Sequence, residues 1–134
     1  MEPTATGEIF IARILTLEDD PRTRQFLRDA IGGFLKHDVR AASGLQEALA
    51  LARSVPFDLM LLDQRLRDGT ALDFCRALPT SCLPVPKWIL TGEKPLSWDS
   101  RLWDLLGVRG YLLKPVSLDL LMETIGSCLE SRKP

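Results

Sequence analysis

The stretch RILTLEDDP, residues 13–21, begins as an apolar run and stops abruptly on three acids, Glu18, Asp19 and Asp20. A short run of this composition, bounded by charge and proline, reads as a strand buried on both faces of a sheet. Asp20 followed by Pro21 reads as a helix N-cap with proline at the first helical position, so the strand passes directly into a helix. Neighbouring carboxylates repel one another. Glu18 and Asp19 are tolerated there only if a cation or a helix terminus offsets them.

Outward from this stretch the same alternation recurs. Apolar runs lie at 13–17, 39–42, 57–62, 88–90 and 110–113, the second placed mainly by position. Between them are segments with helical spacing. Phe26, Leu27, Ala30, Ile31 and Phe34 form one stripe, and Leu45, Ala48, Leu49 and Ala52 form another, behind Ser43 and Gln46 in capping-box spacing. A short helix in TALDFCRALP ends before Pro79. The next is expected to start at a Ser97 cap, bury Trp98, Leu102 and Leu105, and stop at Gly107. The last begins at Ser117 and buries Leu118, Leu121, Met122, Ile125 and Leu129. Repeated strand–helix alternation predicts an α/β fold, an open five-stranded parallel sheet with five helices on both faces.

The 134 residues suit one domain; 46% are hydrophobic, 26% are charged, and the formal net charge is −1. No basic run argues for direct nucleic-acid binding, and no apolar run approaches the ~20 residues of a membrane span. Cys75, Cys82 and Cys128 lack the paired spacing of a zinc site, and reduced thiols in a cytoplasmic protein are the plain reading.

The polar residues fall at the strand ends. The first strand ends in Glu18 and Asp19, the third in Asp63, the fourth in Thr91 and the fifth in Lys114. In open parallel sheets ligands bind outside the carboxyl ends of strands, so one rim collects acids, a hydroxyl and an amine. Taken singly, each has a plainer reading as a helix cap or a solvated loop residue. Taken together, hard carboxylate oxygens without nitrogen or sulfur neighbours favour Mg²⁺, which usually keeps waters and meets a phosphate oxygen. Thr91 would donate to that phosphate, and Lys114 would balance its charge.

Four segments in order, LEDDP, LLDQRLRDG, ILTG and GYLLKPV, resemble the receiver domain of bacterial response regulators across about residues 12–128. The resemblance implies a flavodoxin-like strand order 2-1-3-4-5 and a single receiver domain over 1–134, with its core at about 12–129. It implies that Asp63 accepts a phosphoryl group from a sensor histidine kinase or a phosphotransfer protein. Glu18, Asp19, Asp63 and the backbone carbonyl of Arg65 would hold Mg²⁺. Lys114 and Thr91 would contact the phosphoryl group, and Tyr111 would swing inward with Thr91. This would remodel the face of the fourth helix, fifth strand and fifth helix toward a downstream target or a second copy of the chain. The chain would catalyse its own phosphorylation and slow dephosphorylation without being an enzyme in the usual sense.

Two positions depart from the family pattern, Arg67 where proline is frequent and Ala71 where glycine is frequent. Arg65 and Glu93 are expected to pair across the pocket mouth, Trp103 to face a partner, and His37 to be a surface residue. The competing readings are three. A phosphatase of the haloacid dehalogenase class needs a second acid where Arg65 stands. A flavin binder needs a phosphate-cradling loop where the acids stand. A pseudo-receiver would act only as an interaction module.

Overall fold

The computed structural model describes residues 10–94 and 99–130. Five parallel strands form the sheet: β1 (Arg13–Leu17), β2 (Asp38–Ala42), β3 (Leu59–Asp63), β4 (Lys87–Thr91) and β5 (Val108–Leu113). Their order is β2-β1-β3-β4-β5, as expected. The helices are α1 (Pro21–Arg28), α2 (Leu45–Ser54), α3 (Ala71–Ala77), α4 (Ser100–Leu105) and α5 (Leu118–Glu130). Among the described residues no helix is long and apolar enough to cross a membrane.

The alternation of side chains across the strands makes two cores. Leu15, Leu17, Met60, Leu62 and Ile89 face α2, α3 and α4, whose Ala48, Phe74 and Trp103 close that side. Ile14, Leu59, Leu61, Leu90 and Leu112 face the other way, onto Leu27 of α1 and Leu121 and Ile125 of α5. Both faces of β1 and β3 are therefore dry, which is why their sequences lack a polar alternation.

Local signals hold unevenly. Asp20 caps α1, accepting from the Thr23 amide at 2.9 Å and the Thr23 hydroxyl at 2.8 Å. The helix then widens into a π-helical turn over Asp29–Phe34, which swings Phe34 out to solvent. The Ser43–Gln46 capping box does not form. Gly44 is the N-cap, and Glu47 reaches back to the Ser43 amide at 2.9 Å instead. A capping box forms in α3, between Thr70 and Asp73. The expected Ser97 cap and Trp98 lie outside the described residues; α4 is capped by Asp99, which accepts from the Leu102 amide at 3.1 Å.

The phase of α4 is opposite to the expectation. Trp103 is buried in the core, whereas Leu105 is 70% exposed. With one and a half turns, α4 presents a single residue squarely to the sheet, and the indole takes that place. In α5, Leu118 is exposed and Met122 half-buried, while Thr124 and Cys128 join Leu121, Ile125 and Leu129 inside. His37 is half-buried, and its Nδ1 accepts from the Ala12 amide at 3.1 Å.

Candidate functional site

The carboxyl ends of β1, β3, β4 and β5 lie at one edge of the sheet, and backbone hydrogen bonds carry the register past the strand ends. The Glu18 amide donates to Ala42 O at 3.0 Å, that of Gln64 to Leu90 O at 2.8 Å, and that of Lys114 to Thr91 O at 2.8 Å. Arg24 of α1 donates to the carbonyls of Glu18 (3.0 Å) and Asp19 (3.3 Å), fixing the acidic turn.

Carboxylate oxygens of Glu18, Asp19 and Asp63 come within 4.8 Å of one another. Lys114 Nζ lies 2.7 Å from Glu18 Oε1 and 3.1 Å from Asp63 Oδ1. Glu18 is fully buried and Asp63 is 6% exposed. Glu18 Oε2 accepts from the Asp20 amide at 3.1 Å, while Oε1 has the ion pair but no hydrogen bond of good angle. Burial, and then the Glu18 carboxylate beside it, push Asp63 up to about 6, against the pull of Lys114. For Lys114 burial favours the neutral amine, but the two carboxylates outweigh it and raise its pKa.

This donor set fits Mg²⁺. Three hard carboxylates converge, the buried Glu18 Oε1 has the Lys114 ammonium as its sole partner among the described residues, and no sulfur or imidazole among those residues joins the group.

Thr91 is buried at the end of β4, and its hydroxyl is turned into its own loop. It donates to Glu93 O at 3.0 Å and accepts from the Glu93 amide at 3.3 Å. Tyr111 is half-buried next to Ile89 across the β4–β5 register. Arg65 and Glu93 are both exposed and form no ion pair with each other among the described residues, so the expected strap over the pocket is not made. The Arg65 amide instead approaches Asp63 Oδ1 at 3.4 Å.

Two features escaped the sequence reading. The loop after Asp63 folds into a hairpin, Arg65–Leu66 against Gly69–Thr70, and from its turn the Arg67 amide donates to Asp19 Oδ2 at 3.1 Å. Lys87, read as lying before the fourth strand, begins it and is fully buried. Its ammonium lies 2.8 Å from the carbonyls of Cys82, Val85 and Leu106, and 3.3 Å from that of Leu83.

Known proteins share both sequence and shape with this chain. The profile of the response regulator receiver domain matches residues 14–126. The response regulator protein PilR of Pseudomonas aeruginosa is 33% identical over 91% of this chain, which spans 27% of PilR's length. The response regulator MprA of Mycobacterium leprae is also 33% identical over 91%, and the chain spans 53% of it. Among solved structures, a CheY-like receiver domain protein of Methanospirillum hungatei superposes with a TM-score of 0.81 at 25% identity, covering 92% of this chain and 97% of that one. CheY4, a chemotaxis protein of Vibrio cholerae, gives 0.80 at 24% identity, covering 90% of this chain and all of that one, a likeness of fold. With the profile running from β1 into α5 and the strand order in agreement, the chain belongs to the response-regulator receiver domain family.

Proposed function

We propose that this chain is a phosphoacceptor that takes a phosphoryl group onto Asp63 from a phosphohistidine of a sensor histidine kinase or a phosphotransfer protein. One observation carries the reading: three strand-end carboxylates and the Lys114 ammonium meet at a single point, with Asp63 among them. In this reaction an Asp63 oxygen attacks phosphorus in line, the P–N bond breaks, and its electron pair leaves with the imidazole. Glu18, Asp19, Asp63 and the Arg65 carbonyl would hold Mg²⁺, which would neutralise charge on the phosphoryl oxygens.

Lys114 already sits against the nucleophile and would stay with a phosphoryl oxygen as charge builds. The Thr91 hydroxyl would leave Glu93 and donate to the phosphoryl group, drawing its loop inward and leaving room for Tyr111 to follow. An apolar cleft lined by Phe26, Leu27, Leu90, Pro115 and Val116 opens beside Lys114, so a donor helix would find apolar surface next to the acceptor. Exposed leucines on α4, β5 and α5 (Leu105, Leu113, Leu118 and Leu120) support that face as the output surface for a target or a second copy. We treat 1–134 as one receiver unit, and its free thiols suit the reducing cytoplasm.

The test is intact mass after incubation with Mg²⁺ and acetyl phosphate. The wild type should gain about 80 Da, one phosphoryl group, and Asp63→Asn should not. A wild type that gains no mass would favour the phosphorylation-independent interaction module.

A further inference from the structure

The hairpin after Asp63 is held at both ends of its two-residue turn. At Arg67 the main-chain amide donates to Asp19 Oδ2 at 3.1 Å. At Asp68, the next residue, the carboxylate turns the other way and accepts from the Leu45 amide at 2.9 Å. Leu45 is the first residue of α2, whose N-cap Gly44 supplies no side-chain acceptor. Asp68 therefore caps a helix that lies 23 residues away in sequence.

The packing around this contact leaves little freedom. A Cβ at Gly44 would come within 3.1 Å of Asp68 Oδ2. Gly69 closes the turn at a φ of 152°, and a Cβ there would come within 2.5 Å of Leu45 Cδ1. The turn is thus pressed against the start of α2, and from that fixed position its N–H reaches Asp19. Rotation of the Asp19 carboxylate about its last torsion would break this bond.

We infer that the Arg67 main-chain amide and the Asp68 carboxylate are positioning groups for the cation site. The amide orients Asp19, and Asp68 orients the amide by anchoring the turn to α2. Neither group touches the cation. Ligating carboxylates are commonly held by such outer hydrogen bonds, and removing one typically costs about 10–100-fold in metal affinity. The inference rests on the Mg²⁺ reading above and extends it to residues outside the ligand set.

Calorimetric titration with Mg²⁺ alone tests it. Arg67→Ala and Arg67→Pro both lose the guanidinium, but only proline loses the N–H. The proline variant should bind Mg²⁺ about tenfold more weakly than the alanine variant. Asp68→Ala and Asp68→Asn both lose the charge, but asparagine keeps an acceptor for the Leu45 amide, so it should bind more tightly than alanine. Equal affinities within both pairs overturn the inference, as does a fall confined to the urea midpoint of the metal-free variants. If Arg67→Pro does not fold, the Asp68 pair decides alone. A wild type that does not bind Mg²⁺ overturns the cation reading itself, and this inference with it.

Discussion

Lys114 is closer to Glu18 than to the carboxylate it is expected to serve, with Nζ at 2.7 Å from Glu18 Oε1 and 3.1 Å from Asp63 Oδ1. One ammonium is thus shared by two carboxylates in a buried setting, and Asp19 stands beside them. With all three acids ionised the cluster carries an excess of two negative charges, which one divalent cation would offset.

The shared lysine should affect chemistry and cation binding in opposite directions. Lys114→Met removes the charge that stabilises the phosphoryl oxygens, and adduct formation from acetyl phosphate should slow about 10²-fold. The same change removes a cation from beside the ligand set, so Mg²⁺ should bind at least as tightly as in the wild type. Timed intact-mass measurements and a Mg²⁺ titration check the two halves separately. Weaker Mg²⁺ binding would show that Lys114 organises the carboxylates and does more than balance them.

Lys87 gives a pH signature. Burial pushes it down to about 8, with the Cys75 and Cys82 thiols acting the other way, so it is protonated at neutral pH and donates to its surrounding carbonyls. In the unfolded chain it titrates near 10.5. Above pH 8 the unfolded state therefore binds more protons, and this group's contribution to stability rises with pH, by up to about 1.4 kcal/mol per unit. Urea midpoints between pH 7 and 9 should climb in the wild type relative to Lys87→Met. The variant itself should be less stable by about 2–4 kcal/mol, since buried carbonyls lose their donor.

Gly110 marks a close approach within the sheet. A Cβ there would come within 2.7 Å of the Trp88 ring, whose Nε1 lies 2.9 Å from Cys128 Sγ on α5. Gly110→Ala should force the indole off this position and cost about 1–3 kcal/mol, read as a lower urea midpoint at unchanged slope.

What the sequence showed, and what it hid, follows from the range of the interactions. The acids of LEDDP, Asp63, Thr91 and Lys114 each end an apolar run, so their meeting at one rim was legible from the strand pattern alone. Strand starts were less so: Lys87 begins β4 ahead of the apolar run 88–90, because a buried lysine looks like a loop residue until its carbonyl partners are seen. Trp103 and Leu105 exchanged places because six residues set no clear helical phase. The cap of α2 was sought next to it, at Ser43, whereas its acceptor is Asp68, brought in by the fold. Local periodicity carries the architecture here; contacts between distant loops do not show in it.

The central claim is that the carboxylate of Asp63 becomes the acyl phosphate. The most direct measurement is borohydride reduction after treatment with Mg²⁺ and acetyl phosphate, followed by peptide sequencing in a mass spectrometer. Borohydride converts an aspartyl phosphate to homoserine, and the account predicts homoserine at position 63. Reduction at Glu18, Asp19 or any other acid, with Asp63 intact in a wild type that had gained the phosphoryl mass, would contradict it.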